Sequence, residues 1–154
     1  MSPLTLELPR GPVAFTDLVL DYTGTLSLDG KLLPGVGERL QRLSTDFRIT
    51  ILTADTFGTA AAQLQGLPVS MRVIRDGREK AEAVSAMGGE TVIAVGNGRN
   101  DATMMSVAGL SLAVVGPEGA AGALLAAADV VTRDILETLD LLANPLRLKA
   151  TLRD

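Results

Sequence analysis

Leu18-Val19-Leu20-Asp21-Tyr22-Thr23-Gly24-Thr25 is an apolar run that ends on a carboxylate and passes into a polar, glycine-containing loop. A continuous apolar run of this kind fits a central parallel strand covered on both faces. In open α/β sheets the working groups sit just beyond the carboxyl ends of such strands, which makes Asp21 a candidate nucleophile. Gly24 lets the backbone approach a ligand closely, and the Thr23 and Thr25 hydroxyls add polar contacts suited to phosphate. Taken alone, the segment also fits an Asp that only starts a turn.

A second stretch, Val92-Ile93-Ala94-Val95-Gly96-Asn97-Gly98-Arg99-Asn100-Asp101, repeats the pattern of apolar strand, glycine turn and polar cluster. Between the two, Ile49-Thr50-Ile51-Leu52-Thr53 ends in a hydroxyl, and Lys80 lies near the start of a predicted helix. Strands are predicted over 17–21, 48–53, 71–75, 91–96, 110–115 and 129–132, and helices over 35–45, 57–66, 78–88, 100–108, 118–127 and 133–143. This alternation specifies an α/β fold, a Rossmann-like, doubly wound parallel sheet. Pro34-Gly35 marks entry to the first helix, Gly88-Gly89 closes the third and Asn144-Pro145 ends the last. With no linker and no repeat, residues 1–154 read as a single domain. Leu26-Ser27-Leu28-Asp29-Gly30-Lys31-Leu32-Leu33 carries Asp-Gly at its centre, a β-hairpin signal, and would overhang Asp21.

Composition narrows the chemistry. The 154 residues include no cysteine and no histidine, so catalysis must use carboxylates, hydroxyls, lysine or a bound metal. A formal charge of −4 weighs against nucleic acid or an anionic membrane as partner. No apolar stretch approaches the ~20 residues of a membrane span, and Met1 to Pro12 lacks the basic start and apolar middle of a signal peptide, so a cytoplasmic location is expected. Arg147, Lys149 and Arg153 read as a solvated helix end.

Carboxylate, hydroxyl, lysine and then an amide and carboxylate cluster, in that order, resemble the four motifs of the haloacid dehalogenase-like phosphohydrolase superfamily. The resemblance covers nearly the whole chain. In detail, Asp21 to Thr25 is similar to the phosphorylation signature of P-type ATPases, Gly96 to Ala102 tracks their hinge motif, and Ala126 to Val131 looks like the strand that follows it. Small, stand-alone, soluble relatives of these pumps are the nearest likeness. Only the hairpin and one helix separate Asp21 from Thr53, leaving no room for a nucleotide-binding insert. Membrane helices are absent as well, so the resemblance implies a capless phosphoryl-transfer core and not a transporter.

By this resemblance, Asp21 attacks phosphorus and forms an aspartyl-phosphate. Mg²⁺ is the implied cofactor, held by Asp21, the Thr23 carbonyl and Asn97, with Asp101 as a ligand or an acceptor behind it. Thr53 donates to a phosphoryl oxygen, Lys80 offsets charge on the phosphorylated carboxylate, and Gly24, Thr25 and Ala54 complete the phosphate cradle. Asn100 steadies the loop. The implied substrate is a small phosphorylated molecule, and the hairpin over residues 26–33 offers a route to a homo-oligomer. Two departures matter. Thr23 stands where the phosphatases usually carry a second Asp for acid-base work, help worth about 10²- to 10⁴-fold, so turnover is expected to be slow. Asn97 replaces the usual Asp, which keeps an oxygen ligand and loses a charge.

Each residue also has a plainer reading. Thr53 and Asp55 suit helix caps, Lys80 a solvated helical lysine with Arg78 as rival for its role, Asn97 a left-handed turn, and Met104 and Met105 core filling. At the level of function, the alternative to a phosphohydrolase is a catalytically weak phosphoryl-accepting regulatory or scaffold protein. Response-regulator receivers also combine Asp, Thr and Lys, but they place the acidic pair on the first strand and the phosphorylated Asp on the third. The order here is reversed.

Overall fold

The computed structural model describes residues 4–153; Met1 to Pro3, part of the segment read as lacking a signal peptide, lie outside them. Ten strands are present among the described residues: β1 (Leu4–Leu8), β2 (Gly11–Phe15), β3 (Asp17–Leu20), β4 (Ser27–Leu28), β5 (Lys31–Leu32), β6 (Arg48–Thr53), β7 (Ser70–Val73), β8 (Val92–Gly96), β9 (Leu110–Val114) and β10 (Val130–Thr132). Seven α-helices accompany them among the described residues: α1 (Val36–Leu43), α2 (Ala60–Gln63), α3 (Gly77–Ala86), α4 (Ala102–Val107), α5 (Gly122–Ala127), α6 (Ile135–Ala143) and α7 (Pro145–Leu152). Six strands form one sheet in the order β10-β9-β8-β3-β6-β7, all parallel, with β3 and β8 at its centre.

Alternation along the strands divides the core in two. Leu18, Leu20, Ile49, Ile51, Ile93 and Val95 face α1 and α6, packing on Leu40, Leu43, Ile135 and Leu139. Val19, Leu52, Val92 and Ala94 face the opposite way, onto Val84 of α3 and Met104 of α4. Met105 joins Ala113 and Leu124 in a smaller cluster, so both methionines are core residues. Helices thus cover both faces, as the uninterrupted apolar strands require. Among the described residues no helix is long and apolar enough to cross a membrane.

Several elements depart from the expectation. The hairpin of β1 and β2, paired from Leu4↔Phe15 to Leu8↔Gly11, lies ahead of the first predicted strand, where no element is expected. Asn144-Pro145 ends α6 at Ala143 as expected, but a further helix follows: proline has no N–H to lose at a first helical position, and α7 starts there and buries Leu148. The helix expected over 57–66 shrinks to one turn, because Asp55 and Gly58 adopt positive φ and hold the preceding segment in a loop. The helix expected from 118 begins only at Gly122, since Gly116 and Gly119 bridge to make a tight loop first. Arg147, Lys149 and Arg153 are exposed on and beside α7, as expected of a solvated helix end.

The hairpin of β4 and β5 is present, Ser27 opposite Leu32 and Leu28 opposite Lys31. Positive φ at Asp29 and Gly30 (52° and 82°) gives the turn sense that matches strand twist. Tyr22 anchors it by donating its buried hydroxyl to the Gly30 carbonyl (2.8 Å). Leu26 belongs to the core and Leu32 and Leu33 pack against it, leaving Leu28 as its exposed apolar side chain at 39%.

Candidate active site

β3, β6 and β8 end at the same edge of the sheet, and the polar residues that follow them meet there. Asp21 sits one residue past β3, fixed by its N–H to the Val95 carbonyl of β8 (3.0 Å). α3 starts at this edge because Asp76 caps it, accepting from the Glu79 N–H (3.0 Å). Gly77 lies so close to the loop after β8 that a Cβ would stand 2.6 Å from the Asn100 carbonyl. This close approach carries Lys80, one turn into α3, beneath the strand ends.

Lys80 is fully buried, with its ammonium 2.8 Å from Asp21 Oδ1 and 2.7 Å from Asp101 Oδ1. The plain reading of a solvated lysine fails, and the rival Arg78 faces solvent in an ion pair with Glu82 (3.1 Å). Asp101 is buried with both oxygens committed: Oδ2 accepts from the N–H groups of Asn97 (3.2 Å) and Gly98 (3.1 Å). Only glycine fits at position 96, since a Cβ there would collide with that carboxylate. Asn100 Oδ1 stands 3.5 Å from the Lys80 ammonium, at the margin of a contact.

Asn97 donates its amide nitrogen to the Gly119 carbonyl (2.9 Å), which turns Oδ1 toward the Thr25 hydroxyl (3.0 Å). The same hydroxyl lies 3.3 Å from Asp21 Oδ2. One proton therefore stands between two acceptor oxygens that converge from different strands. Gly24, at φ 76°, makes room for this: a Cβ would come 2.5 Å from the Asn97 amide nitrogen. Thr53 is buried, and its oxygen accepts from the Asp55 N–H (2.9 Å), while Asp55 in turn caps the Thr59 and Ala60 N–H groups (3.1 Å each). Thr59 and not Asp55 holds the N-cap position of α2, but Asp55 does the work of a cap from the preceding loop, and Thr53 keeps a hydroxyl proton to donate.

Burial, first, and then the charge of Asp101 push the Asp21 carboxyl up to about 7, against the opposing pull of Lys80. Burial alone would lower the Lys80 ammonium, but the two carboxylates outweigh it and hold it above its ordinary range. Two carboxylates share one ammonium, so the array carries a surplus negative charge that only the cavity side of Asp21 shares with water. Together with the converging oxygens of Asp21 and Asn97, that surplus fits a divalent cation with oxygen ligands.

A cavity of about 410 Å³ opens on Asp21, Thr23, Thr53, Ala54 and Asn97, and on Thr56, Arg99 and Glu118, which sequence reasoning did not single out. Arg99 lies inside a quoted motif; Glu118 has no local signal and falls where a helix start is expected. The expected site residues all lie at this edge, with Gly24 and Thr25 behind the cavity and Lys80 and Asp101 beneath it.

Known proteins resemble the chain in sequence and in fold. Over 63 residues the chain is 48% identical to an uncharacterized protein of Methanocaldococcus jannaschii, covering 41% of this chain and 68% of that one. The fold superposes on the cobalt-bound form of the deoxy-D-mannose-octulosonate 8-phosphate phosphatase of Haemophilus influenzae, with TM-score 0.66, 16% identity, and coverage of 91% and 94% of the two chains. It also matches a zinc-transporting PIB-type ATPase, with TM-score 0.64 and 24% identity, over 77% of this chain and 20% of the pump. Residues 48–137, more than half of the sequence and the part that supplies Thr53, Lys80, Asn97 and Asp101, match the haloacid dehalogenase-like hydrolase family, and the chain belongs to it.

Proposed function

We propose that the protein is a Mg²⁺-dependent phosphohydrolase acting through an aspartyl-phosphate on Asp21, within a single capless domain. The observation that carries this reading is the buried Asp21–Lys80–Asp101 array, in which a carboxylate at a strand end faces an open cavity and is backed by one ammonium. Asp21 Oδ1 is held by Lys80 at 2.8 Å and Oδ2 accepts only the longer contact from the Thr25 hydroxyl at 3.3 Å, so Oδ2 is the freer oxygen to attack phosphorus. Attack by the carboxylate on a phosphate ester or anhydride forms the acyl phosphate and releases the leaving group; water then displaces Asp21 and yields inorganic phosphate. Lys80 neutralises charge on the carboxylate as it is phosphorylated, and Thr53 donates to a phosphoryl oxygen at the cavity wall.

Asp21, the Thr23 carbonyl and Asn97 Oδ1 would hold the magnesium, a cation that takes oxygen ligands. Bound there, the ion screens the anionic carboxylate from the anionic phosphate. Asp101, with both oxygens occupied, serves as a positioning residue for Lys80 and the Asn97 backbone and not as a ligand. Thr23 cannot protonate a leaving group at neutral pH, so anhydrides and activated esters are the favoured substrates. The neighbouring phosphatase and pump support phosphoryl transfer as the chemistry. Transport is no part of the reading, because the hairpin and α1 are all that lies between Asp21 and β6, where a pump would carry its nucleotide-binding insert.

Intact-protein mass spectrometry after brief incubation with Mg²⁺ and acetyl phosphate, p-nitrophenyl phosphate or ATP tests this. A phosphate adduct is expected on the parent and not on Asp21→Asn, with turnover reduced at least about 10⁴-fold in the variant. An adduct that persists in Asp21→Asn, or no adduct and no released phosphate with any donor, would sink the proposal and favour a regulatory or scaffold role.

A further inference from the structure

We infer that Glu118 is the general base of the second half-reaction, taking a proton from the water that hydrolyses phospho-Asp21. This rests on the phosphoenzyme reading above. With threonine at position 23, a base for that water must come from elsewhere, and two carboxylates line the cavity: Asp21 itself and Glu118. Asp101 is closed off by Lys80 and two backbone N–H groups, and Asp55 is spent on capping Thr59 and Ala60.

Glu118 is brought to the site by the tight loop closed by Gly116 and Gly119, which docks on the residues flanking Asp21. The Gly119 carbonyl accepts from Asn97 Nδ2 (2.9 Å), and the Ala121 N–H donates to the Asn97 carbonyl (2.9 Å). Gly116 lies against the loop after β3, where a Cβ would stand 3.1 Å from the Gly24 carbonyl. From the other side the hairpin tip reaches over, and the Asp29 N–H donates to Glu118 Oε2 (3.1 Å). Oε1 accepts no hydrogen bond from any described residue. One oxygen is thus held by the hairpin while the other keeps its lone pairs free of any described donor, on a residue that lines the cavity.

The step balances. The water oxygen forms a bond to phosphorus as Oε1 takes one of its protons, the bond from phosphorus to the Asp21 oxygen breaks, and its electron pair returns to the Asp21 carboxylate. Glu118 then yields the proton to solvent with departing phosphate. This acts on hydrolysis of the intermediate and does nothing for leaving-group protonation, so a preference for activated phosphates stands.

The test is the lifetime of the adduct. Parent, Glu118→Gln and Glu118→Asp are loaded with acetyl phosphate and Mg²⁺ and freed of donor by rapid desalting, and the phosphate mass is followed in time. Glutamine still accepts from the Asp29 N–H, so the link to the hairpin is kept while the base is lost. Decay about 10²-fold slower is expected for Glu118→Gln, with an intermediate rate for Glu118→Asp. Equal decay in parent and Glu118→Gln would overturn the assignment. Failure of both variants to load would do so too, by placing Glu118 in the first half-reaction. A parent that never acquires phosphate removes the phosphoenzyme reading itself, and this inference with it.

Discussion

Asp17 and Asp21 bracket a single strand and are almost equally buried, at 4% and 5% exposure, yet their surroundings oppose each other. Asp17 accepts from Arg48 (3.0 Å) and the Thr16 hydroxyl (2.8 Å), and the Arg48 side chain is 65% exposed, so water shares in the pair. Asp21 shares one sealed ammonium with a second carboxylate. The first end of the strand is electrostatically settled, and the second holds charge that the fold does not neutralise. Size does not mark the site: a larger cavity, about 840 Å³, lies at the settled end beside Asp17, Phe47 and Pro68, against about 410 Å³ at Asp21. Unbalanced charge beside an open cavity, and not cavity volume, distinguishes the end fitted for chemistry.

The comparison breaks most severely at Lys80. In Lys80→Met the two buried carboxylates face each other without a cation, which should cost about 3–5 kcal/mol of stability. Turnover should fall about 10²- to 10³-fold as charge on the attacked carboxylate goes unscreened. Urea unfolding and phosphate release measure the two losses, and Arg78→Ala, which removes an exposed ion pair, should change neither by more than about 0.5 kcal/mol.

A pH effect of unusual sign follows from Asp21. Its carboxyl titrates at about 7 in the folded chain against an ordinary 3.8, so across that window the folded state keeps a proton that the unfolded state has lost. Stability from this group is therefore greatest below pH 4 and declines as pH rises toward 7. In metal-free buffer Asp21→Asn should be more stable than the parent by roughly 2 kcal/mol at pH 8, with the gap closing toward pH 4. Mg²⁺ should narrow it at pH 8. A gap independent of pH would show that the surplus charge is not felt.

Asn97 is where charge can be added back. Asn97→Asp places a further negative charge beside Asp21 and should lower the Mg²⁺ concentration for half-maximal phosphate release about tenfold, or about 1.4 kcal/mol. Without metal the same change should destabilise the fold, since it adds to a charge already in surplus. Tighter magnesium dependence together with a lower melting temperature in chelator would sharpen the contrast with the settled end; unchanged magnesium dependence would remove Asn97 from the ligand set.

Much of this was legible in the sequence, for reasons that differ by element. The six parallel strands announce themselves because burial on both faces demands continuous apolar runs such as Val92 to Val95. The hairpin at Asp29-Gly30 follows from local backbone preference. Lys80 was found by motif order, but its burial depends on the close approach of Gly77 to Asn100, which no local pattern encodes. Glu118 carries no local signal because its position is set by the loop after β9 docking on Asn97, past the end of the adjacent strand β8. β1 and β2 were missed although Leu4, Leu6 and Leu8 alternate with polar residues, because five-residue strands flanked by a proline and a glycine resemble a loop. Asn144-Pro145 marks the end of α6, and nothing local says that the same proline also opens α7.

The smallest effect is the most direct check on the comparison. Asp17→Asn makes at the start of β3 the change that Asp21→Asn makes past its end, in a residue of the same burial on the same strand. It removes one ion pair with a largely solvated guanidinium and keeps a side-chain oxygen for the Thr16 hydroxyl, so the cost should be about 0.5–1 kcal/mol. Phosphate release should stay within about twofold of the parent, because the sheet transmits no charge from one end of the strand to the other and the packing of Leu18 to Leu20 is untouched. Urea melts and phosphate release on one preparation measure both quantities. Should Asp17→Asn lose activity with its stability intact, the two ends of β3 would be coupled, and the division between a settled end and a working end would have to be abandoned.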